Sequence, residues 1–325
     1  MSATIGIVCL AQRRFPLIFS QVKQLAKCPY RDFHFYLMID KIDSPLAGVL
    51  QRSLPDRHTV IQGFVPNTHN NLNYMQKVTE GTKRPHEYLI KADEDVLLLS
   101  DGWERFFRLI ESMRSDDLFC TGAISNGIPT CDMFVRNFIP ESKPALDRMF
   151  AETHFPLKPQ RVDYFGNADY TSLNGDGKTW NPDEFFSKVH SVVSPYKGIH
   201  PVRINVPAQK EINRAVMSGF PRTMRIVDGE IIRDNGTRYP YFCNSMFGIR
   251  AVDWRTVISR RDLFVDNTDE VPINRYRHET KRNMVIDTGI PMLHTMYNWA
   301  GFDDDANWQY EIDLVKEISM PFAEA

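Results

Sequence analysis

A short apolar run that ends in three consecutive acids constrains this chain more than any other feature. Glu87–Ala92 leads into Asp93, Glu94 and Asp95, and the apolar residues Val96–Leu99 follow. Burying carboxylates beside a strand end costs several kcal/mol per ion unless a cation answers them. Residues two apart do not face each other on a helix, whereas on a strand they point to the same side. The run therefore predicts two carboxylates, Asp93 and Asp95, on one side of a strand end.

Two such carboxylates form a hard oxygen site suited to Mg²⁺ or Mn²⁺. In open α/β sheets, ligands bind at the carboxyl ends of the strands. A second Asp-x-Asp, at Asp303 and Asp305, has no apolar strand before it and is typical of a solvated turn. Only the Asp93–Asp95 copy is therefore a candidate metal site.

Strands alternate with helices through the first 123 residues, which predicts right-handed βαβ units and a mainly parallel sheet covered on both faces. A Gly-x-Gly-x-x-Gly after the first strand and a Walker A loop are both missing from the sequence, which argues against dinucleotide and P-loop enzymes. The predicted strands are Thr4–Leu10, Phe33–Ile39, His58–Phe64, Glu87–Lys91 and Asp117–Thr121, and the predicted helices are Leu17–Lys27, Ser44–Leu50, Leu72–Glu80 and Trp103–Met113.

The second half of the chain is richer in loops, above all between Asp163 and Tyr196, and loops this long often recognise substrate. No linker separates the halves, so we expect a single domain over 1–325. The pattern predicts helices at Pro144–Glu152, Asp183–His190, Val252–Ile258, Val271–Lys281 and Trp308–Ile318, strands at Tyr239–Ile249 and Met284–Ile286, and a turn at Asp287–Pro291.

Composition narrows the function classes. The net charge of −2 over 325 residues argues against a strongly electrostatic nucleic-acid binder. The five cysteines are scattered and form no CxxC pair, which indicates buried free thiols rather than disulfides or a zinc ribbon. No apolar run approaches about 18 residues, so the sequence predicts no transmembrane segment and a cytoplasmic protein. Between residues 197 and 282, sixteen Lys and Arg face ten Asp and Glu, which favours a solvated face over a patch for an anionic acceptor.

Three signals stand in one order along the chain: the strand ending in Asp93–Asp95, the acidic pair Asp269-Glu270 opening a helix, and His294 after a strand-turn. Together they resemble the GT-A-fold glycosyltransferases, particularly family 2. The first strand with Gln12-Arg13 resembles that family's first strand and Asn-Arg turn, with Gln in place of Asn. Phe33–Asp43 is similar to its strand that reads the nucleoside base.

The resemblance implies an α/β, Rossmann-like GT-A fold in which 1–123 binds a nucleotide sugar and 124–325 frames the acceptor. It also implies that Asp95 ligates Mn²⁺ or Mg²⁺ and that Asp93 touches the ribose or a metal-bound water. His294 would complete the metal shell or contact the diphosphate. Glu94 falls in the same donor site.

Further roles follow from the same resemblance. A carboxylate is needed as general base toward an acceptor hydroxyl, and Asp269 or Glu270 would supply it, with inversion at the anomeric carbon. Their order is reversed relative to the family's Glu-Asp, which leaves the base open between the two. The donor site would also contain Asp40 and Asp43, which would hold the base or ribose, and Arg13, which would meet the phosphates. Asn73 opens the predicted helix before the fourth strand and resembles the family's Asn in the donor site there.

The sequence thus predicts a metal-dependent glycosyltransferase that uses a nucleotide sugar, with a UDP-sugar favoured. Its acceptor would be a glycan, a glycolipid or a hydroxylated base in DNA. Two alternatives stay open: a nucleotidyltransferase, although the expected Gly-rich basic loop is missing after the first strand, and a non-catalytic module that binds a nucleotide or sugar.

Overall fold

The computed structural model describes residues 5–11, 15–63, 86–99, 101–124, 141–152, 206–217, 225–227, 245–263, 270–294 and 313. The strands are β1 (Ile5–Leu10), β2 (Phe33–Met38), β3 (His58–Ile61), β4 (Tyr88–Asp93), β5 (Val96–Leu98), β6 (Asp117–Ile124), β7 (Arg225–Val227), β8 (Met246–Arg250) and β9 (Asn283–His294). The α-helices are α1 (Phe15–Lys27), α2 (Ser44–Ser53), α3 (Gly102–Glu111), α4 (Lys143–Ala151), α5 (Val206–Met217), α6 (Ala251–Ser259) and α7 (Glu270–Thr280), and a 3-10 turn covers Arg261–Leu263.

All nine of these strands belong to one sheet, in the order β3-β2-β1-β4-β8-β6-β9-β5, and β7 pairs with β9. Strands β1–β4, β6 and β9 run in one direction, and β5, β7 and β8 run in the other. The predicted α/β class, with a mainly parallel central sheet flanked by helices, is confirmed. Strand β8 is inserted antiparallel between β4 and β6, so the sheet is built from both halves of the chain.

One face of the sheet is covered by α1, α2 and α3. Strands β1 and β2 have almost every residue buried, because apolar side chains occupy both of their faces. Their odd-numbered residues, such as Ile7 and Phe35, join Ile18 and Val22 of α1 and Phe106 of α3 in one apolar cluster. This cluster holds α1 against the strands whose carboxyl ends carry the acids.

The opposite face is covered by α6. Trp254 of α6 lies 6.4 Å from the ring of Phe247 on β8, and Phe247 lies 6.4 Å from Phe119 on β6. Gly248, next to Phe247, points the other way: a Cβ there would stand 2.6 Å from Cδ1 of Ile110 on α3. Helices therefore cover both faces, as predicted, and Gly248 lets α3 approach β8 closely.

The predictions around the acids and for the last strand differ from the structure. The fourth strand continues to Asp93, and the following apolar residues form the separate strand β5. The prediction of a short strand Met284–Ile286 followed by a turn was wrong, because β9 continues to His294. Gly289 and Pro291 suggested a turn, but they lie at an irregularity in β9. The pairing of β9 with β6 shifts register there and then continues on both sides.

Cysteines 9, 28 and 120 are buried free thiols, as predicted, and the other two lie outside the described residues. No helix within the described ranges is long and apolar enough to cross a bilayer. The predicted helices Leu72–Glu80, Asp183–His190 and nearly all of Trp308–Ile318 fall outside those ranges, as do the loop between residues 163 and 196 and the aspartates 303 and 305.

Burial of His86 predicts a pH-dependent stability. Its Nε2 lies 2.9 Å from the hydroxyl of Tyr36, and burial, with a smaller contribution from His34, lowers its pKa from 6.5 to about 4. The unfolded chain then binds more protons than the fold in this window, so the unfolding free energy falls as pH drops from about 6.5 to 4. In urea titrations, His86→Gln is expected to flatten this slope. Tyr36→Phe is expected to keep the slope, because burial of His86 is the main cause of its lowered pKa. An unchanged slope in His86→Gln would refute the assignment of the pH dependence to His86.

Candidate functional site

The three acids form the tip of β4, where the chain turns into β5. Asp93 is the last residue of β4, and Glu94 and Asp95 make the turn. The Asp93 amide donates to the Ser245 carbonyl at 2.8 Å, and the Glu94 amide donates to the Leu10 carbonyl at 3.2 Å. The acids thus lie at the carboxyl ends of β1 and β4, as predicted, although a tight turn rather than an extended strand exit places Asp95.

Asp95 meets His294, the last residue of β9. Strand β9 pairs with β5 so that His294 lies opposite Val96, next to the acidic turn. The His294 Nε2 is 3.4 Å from Asp95 Oδ1, with the imidazole 2% exposed and the carboxylate 18% exposed. Two residues that are far apart in sequence and were both predicted as metal ligands are therefore neighbours in space.

Asp93 contacts a lysine that the sequence analysis did not assign to the site. Lys91 Nζ lies 2.8 Å from Asp93 Oδ1, and the lysine side chain is 1% exposed whereas that of Asp93 is 29% exposed. Both residues project from the same side of β4, two positions apart. The ammonium balances one of the three negative charges at the turn, so Asp93 and Asp95 differ in their electrostatic surroundings.

Glu94 is buried, and its negative charge acts on the thiol of Cys9 on β1. Burial raises the pKa of the Cys9 thiol well above its usual range, and the negative charges of Glu94, Asp93 and Asp95 raise it further. The thiol therefore stays protonated, and its Sγ lies 3.7 Å from Gln21 Oε1 as a donor. Cys9 is a packed thiol beneath the acids rather than a nucleophile.

Asp40 and Asp43 follow β2, at the same edge of the sheet as the acidic turn. Leu10 pairs with both Met38 and Asp93, so the end of β2 lies two interstrand spacings, about 10 Å, from Asp93. Asp40 is exposed. Asp43 caps α2 by accepting from the Leu46 amide at 2.8 Å, which engages one of its carboxylate oxygens.

The other predicted site residues are not placed. Arg13, Asn73 and Asp269 lie outside the described residues, and Glu270 is the first residue of α7 with its side chain outside them. The predicted helix after the acidic pair is present. The roles of these four residues stay predictions.

An irregular segment of β9 positions His294. The pairing of β9 with β6 shifts between Gly122 and Ala123, whose partners are Asp287 and Pro291. The Gly289 amide donates to Asp287 Oδ1 at 2.8 Å, and Arg105 of α3 donates to the Gly289 carbonyl at 3.1 Å. These bonds fix the bulge through which β9 continues to the site.

Gly122→Ala is expected to destabilise the protein, because an added Cβ would stand 2.3 Å from the Ile290 carbonyl oxygen in this bulge. Backbone cannot move aside as a flexible side chain does, so we expect the unfolding free energy to fall by about 1–3 kcal/mol or more. Gly48→Ala, in the middle of α2 beside the flexible Arg52, is the matched control and should be neutral or stabilising. Equal stability of the two variants in urea titrations would contradict the tight contact.

Comparisons with known proteins leave the family of this chain open. No protein-family model matches, and no curated protein matches. Solved structures do match, and three of them show how distant the similarity is. The first is the apo-form glycosyltransferase GlyE of Streptococcus pneumoniae TIGR4 (11% identity, TM-score 0.27, 37% of this chain and 30% of that chain covered).

The second is the 4-diphosphocytidyl-2C-methyl-D-erythritol synthase of Anaerococcus prevotii DSM 20548 (10% identity, TM-score 0.30, 38% of this chain and 56% of that chain). The third is the galactosyltransferase LgtC in complex with donor and acceptor sugar analogues (15% identity, TM-score 0.26, 46% of this chain and 52% of that chain). The chain thus covers between 30% and 56% of these proteins, and similarity at this level assigns no activity.

Lys91, Gln21 and Cys9 surround the acidic turn but were not predicted as site residues. Lys91 and Gln21 each left a signal in the sequence. Lys91 is a lone charge within an apolar strand, and Gln21 interrupts the apolar stripe of α1 formed by Ile18, Val22 and Leu25. A polar side chain in such a position must find a partner when buried.

Proposed function

We propose that this protein is a metal-dependent glycosyltransferase that takes its sugar from a nucleotide-sugar donor, with a UDP-sugar favoured. The observation that carries the proposal is the meeting of Asp95 and His294 at the carboxyl end of β4, with their donor atoms 3.4 Å apart. Ligands in open α/β sheets bind at this edge.

The two side chains fit a divalent cation. Adjacent ligands around an octahedral Mg²⁺ or Mn²⁺ lie about 3 Å apart, close to the separation of Asp95 Oδ1 and His294 Nε2. An imidazole beside a carboxylate favours Mn²⁺ over Mg²⁺, which prefers oxygen. No group of three or more His, Cys, Asp or Glu able to hold a metal occurs in the described part of the chain. The remaining positions would fall to the donor's phosphates and water, as is common for nucleotide-bound Mg²⁺.

When bound, the cation would stabilise the negative charge that grows on the leaving diphosphate. Asp95 and His294 would hold the cation, and Asp93 would orient the ribose or a water on the cation. Lys91 fixes the Asp93 carboxylate through their 2.8 Å contact, so the orienting group is held by the sheet itself. Preorganised charges of this kind lower the barrier without moving during the reaction.

The acceptor hydroxyl needs a base because an alcohol is a poor nucleophile. Asp269, or Glu270 at the first position of α7, would take the hydroxyl proton as the oxygen attacks the anomeric carbon and the bond to the diphosphate breaks. Direct displacement inverts the anomeric configuration. General-base assistance of this kind typically contributes 10²–10⁴-fold.

Of the other residues proposed for the donor site, Asp40 and Asp43 follow β2 at the same sheet edge. Asp40 and the carboxylate oxygen of Asp43 that does not cap α2 would contact the base or ribose. Arg13 would contact the phosphates, and Asn73 and Glu94 would complete the donor site. Residues 1–123 would form the donor half and 124–325 the acceptor half of a cytoplasmic, single-domain protein. A glycan, a glycolipid or a hydroxylated DNA base would fit as acceptor.

A thermal-shift screen tests the proposal, with UDP-sugars, GDP-sugars and CTP as probes, each with and without Mn²⁺. A true donor at a hundredfold excess over its Kd adds about 2.7 kcal/mol to stability, and the shift should require Mn²⁺. Product analysis then separates the alternatives. Release of a nucleoside diphosphate supports the glycosyltransferase, and release of pyrophosphate from CTP would replace it by a nucleotidyltransferase. Tight donor binding without transfer or hydrolysis would indicate a binding module, and no Mn²⁺-dependent shift with any probe would end the proposal.

A further inference from the structure

A single buried amide on α1 spans the acidic turn. Gln21 is 1% exposed, and its Nε2 donates to the Asp93 carbonyl at 3.1 Å and to the Val96 carbonyl at 2.6 Å. Asp93 and Val96 are the residues on either side of the turn that carries Glu94 and Asp95. One NH₂ group therefore joins the end of β4 to the start of β5.

The chemistry of this position suits glutamine. An amide nitrogen has two hydrogens and can donate to two carbonyls at once, while its oxygen accepts. Here the oxygen accepts from the buried Cys9 thiol, whose Sγ lies 3.7 Å away. An ionised glutamate at this position would offer only acceptors to two carbonyl oxygens beside three carboxylates, so the charge of the site itself selects a neutral donor.

A neighbouring residue provides a natural comparison. Gln24 lies one helical turn further along α1, and its Nε2 donates to the Leu98 carbonyl at 2.7 Å. This bond joins the same helix to the far end of β5 but does not touch the turn. The two glutamines thus make similar bonds from one rigid element, and only one of them holds the acids.

We propose that Gln21 is a positioning residue that sets the separation of Asp93 and Asp95 for cation and diphosphate binding. It acts through the backbone of the turn and touches neither metal nor substrate. The metal-binding part of this inference rests on the proposed function. Because α1 is held to the sheet by the apolar cluster that contains Ile18 and Val22, the geometry of the acids is set by a packed helix.

The experiment compares Gln21→Met with Gln24→Met in the full chain. Methionine has a similar length and no donor, so each variant loses only its hydrogen bonds. Amide hydrogen exchange of residues 93–97 is the first measurement and does not depend on the function. Loss of two hydrogen bonds, one buried and one partly buried, predicts at least about tenfold faster exchange in Gln21→Met, whereas Gln24→Met should match the wild type there. Gln21→Asn, whose amide is one methylene too short to reach both carbonyls, replaces Gln21→Met if that variant does not fold.

The second measurement is the Mn²⁺ affinity in the presence of UDP, determined from the electron paramagnetic resonance signal of free Mn²⁺. We expect about tenfold weaker Mn²⁺ binding in Gln21→Met and less than about twofold change in Gln24→Met. The reason is that small displacements of the groups in a site strongly weaken its interaction with the ligand. Three results would overturn the inference: amide exchange in Gln21→Met as slow as in the wild type, equal weakening of Mn²⁺ binding in Gln21→Met and Gln24→Met, or unfolding of both Gln21→Met and Gln21→Asn. If the wild type binds no Mn²⁺ with UDP but exchange is still faster in Gln21→Met, the proposed function is refuted. The stabilisation of the turn by Gln21 is then still supported.

Discussion

Asp95→Asn is expected to lower sugar transfer by at least about 10²-fold while leaving the fold as stable as the wild type. The amide keeps the size of the side chain but removes the negative charge that would hold the cation, and losing one group that stabilises developing charge typically costs this much. Its carboxylate is 18% exposed and lies 3.4 Å from His294 Nε2, and the asparagine amide keeps an oxygen for that contact, so we expect little change in stability. Transfer assays and urea titrations measure the two effects.

Asp101→Asn is the matched control for this substitution. Asp101 is an exposed carboxylate that pairs with Arg105 at the start of α3, and an exposed pair of this kind contributes little to stability. It should change neither transfer nor the stabilisation by UDP with Mn²⁺. Full transfer by Asp95→Asn in excess chelator would remove the metal from the mechanism.

Asp93→Asn is expected to lower the unfolding free energy by about 2–4 kcal/mol, in contrast to Asp95→Asn. The reason is Lys91, whose ammonium is 1% exposed and lies 2.8 Å from the Asp93 carboxylate. Removing the carboxylate takes one negative charge away from a buried ammonium, and the exposure of Asp93 keeps the expected loss below that of a fully buried pair. Urea titration at neutral pH measures it.

A double-mutant cycle isolates this pair. Lys91→Met removes the charge and keeps a long apolar chain, and replacing both members of a buried ion pair by neutral groups is often tolerated. Lys91→Met/Asp93→Asn should therefore be more stable than Asp93→Asn, with a coupling energy of about 1–3 kcal/mol. Additive effects would show that the pair does not stabilise the fold.

The elements that position the site were predictable because local sequence patterns specify them. The apolar runs of β1, β2 and β4 gave strands of nearly the observed extent, and the acids after β4 fell at the predicted edge of the sheet. The close approach of His294 to Asp95 rests on the register of β9 against β5, which one sequence does not contain. The contact between His294 and Asp95 was expected from the family resemblance alone, because no spacing in the sequence requires it.

What sequence reasoning missed depends on long-range contacts. Strand β9 continues past Gly289 and Pro291 because β6 and α3 supply hydrogen bonds to the bulge, and tertiary bonds of this kind override local turn preference. The roles of Lys91 and Gln21 likewise depend on which groups they meet after folding. Polar residues within otherwise apolar strand or helix faces were the available signals, and both lead to the same turn.

The central claim is that Asp95 and His294 hold a divalent cation against a nucleoside diphosphate. Anomalous diffraction at the manganese edge, from crystals grown with Mn²⁺ and UDP, tests it most directly. The account predicts one strong peak at ligand distance, about 2.2 Å, from Asp95 Oδ1 and His294 Nε2, with the UDP phosphates on its other side. A structure with UDP bound but no anomalous peak at this pair, or with the metal held elsewhere, would contradict it.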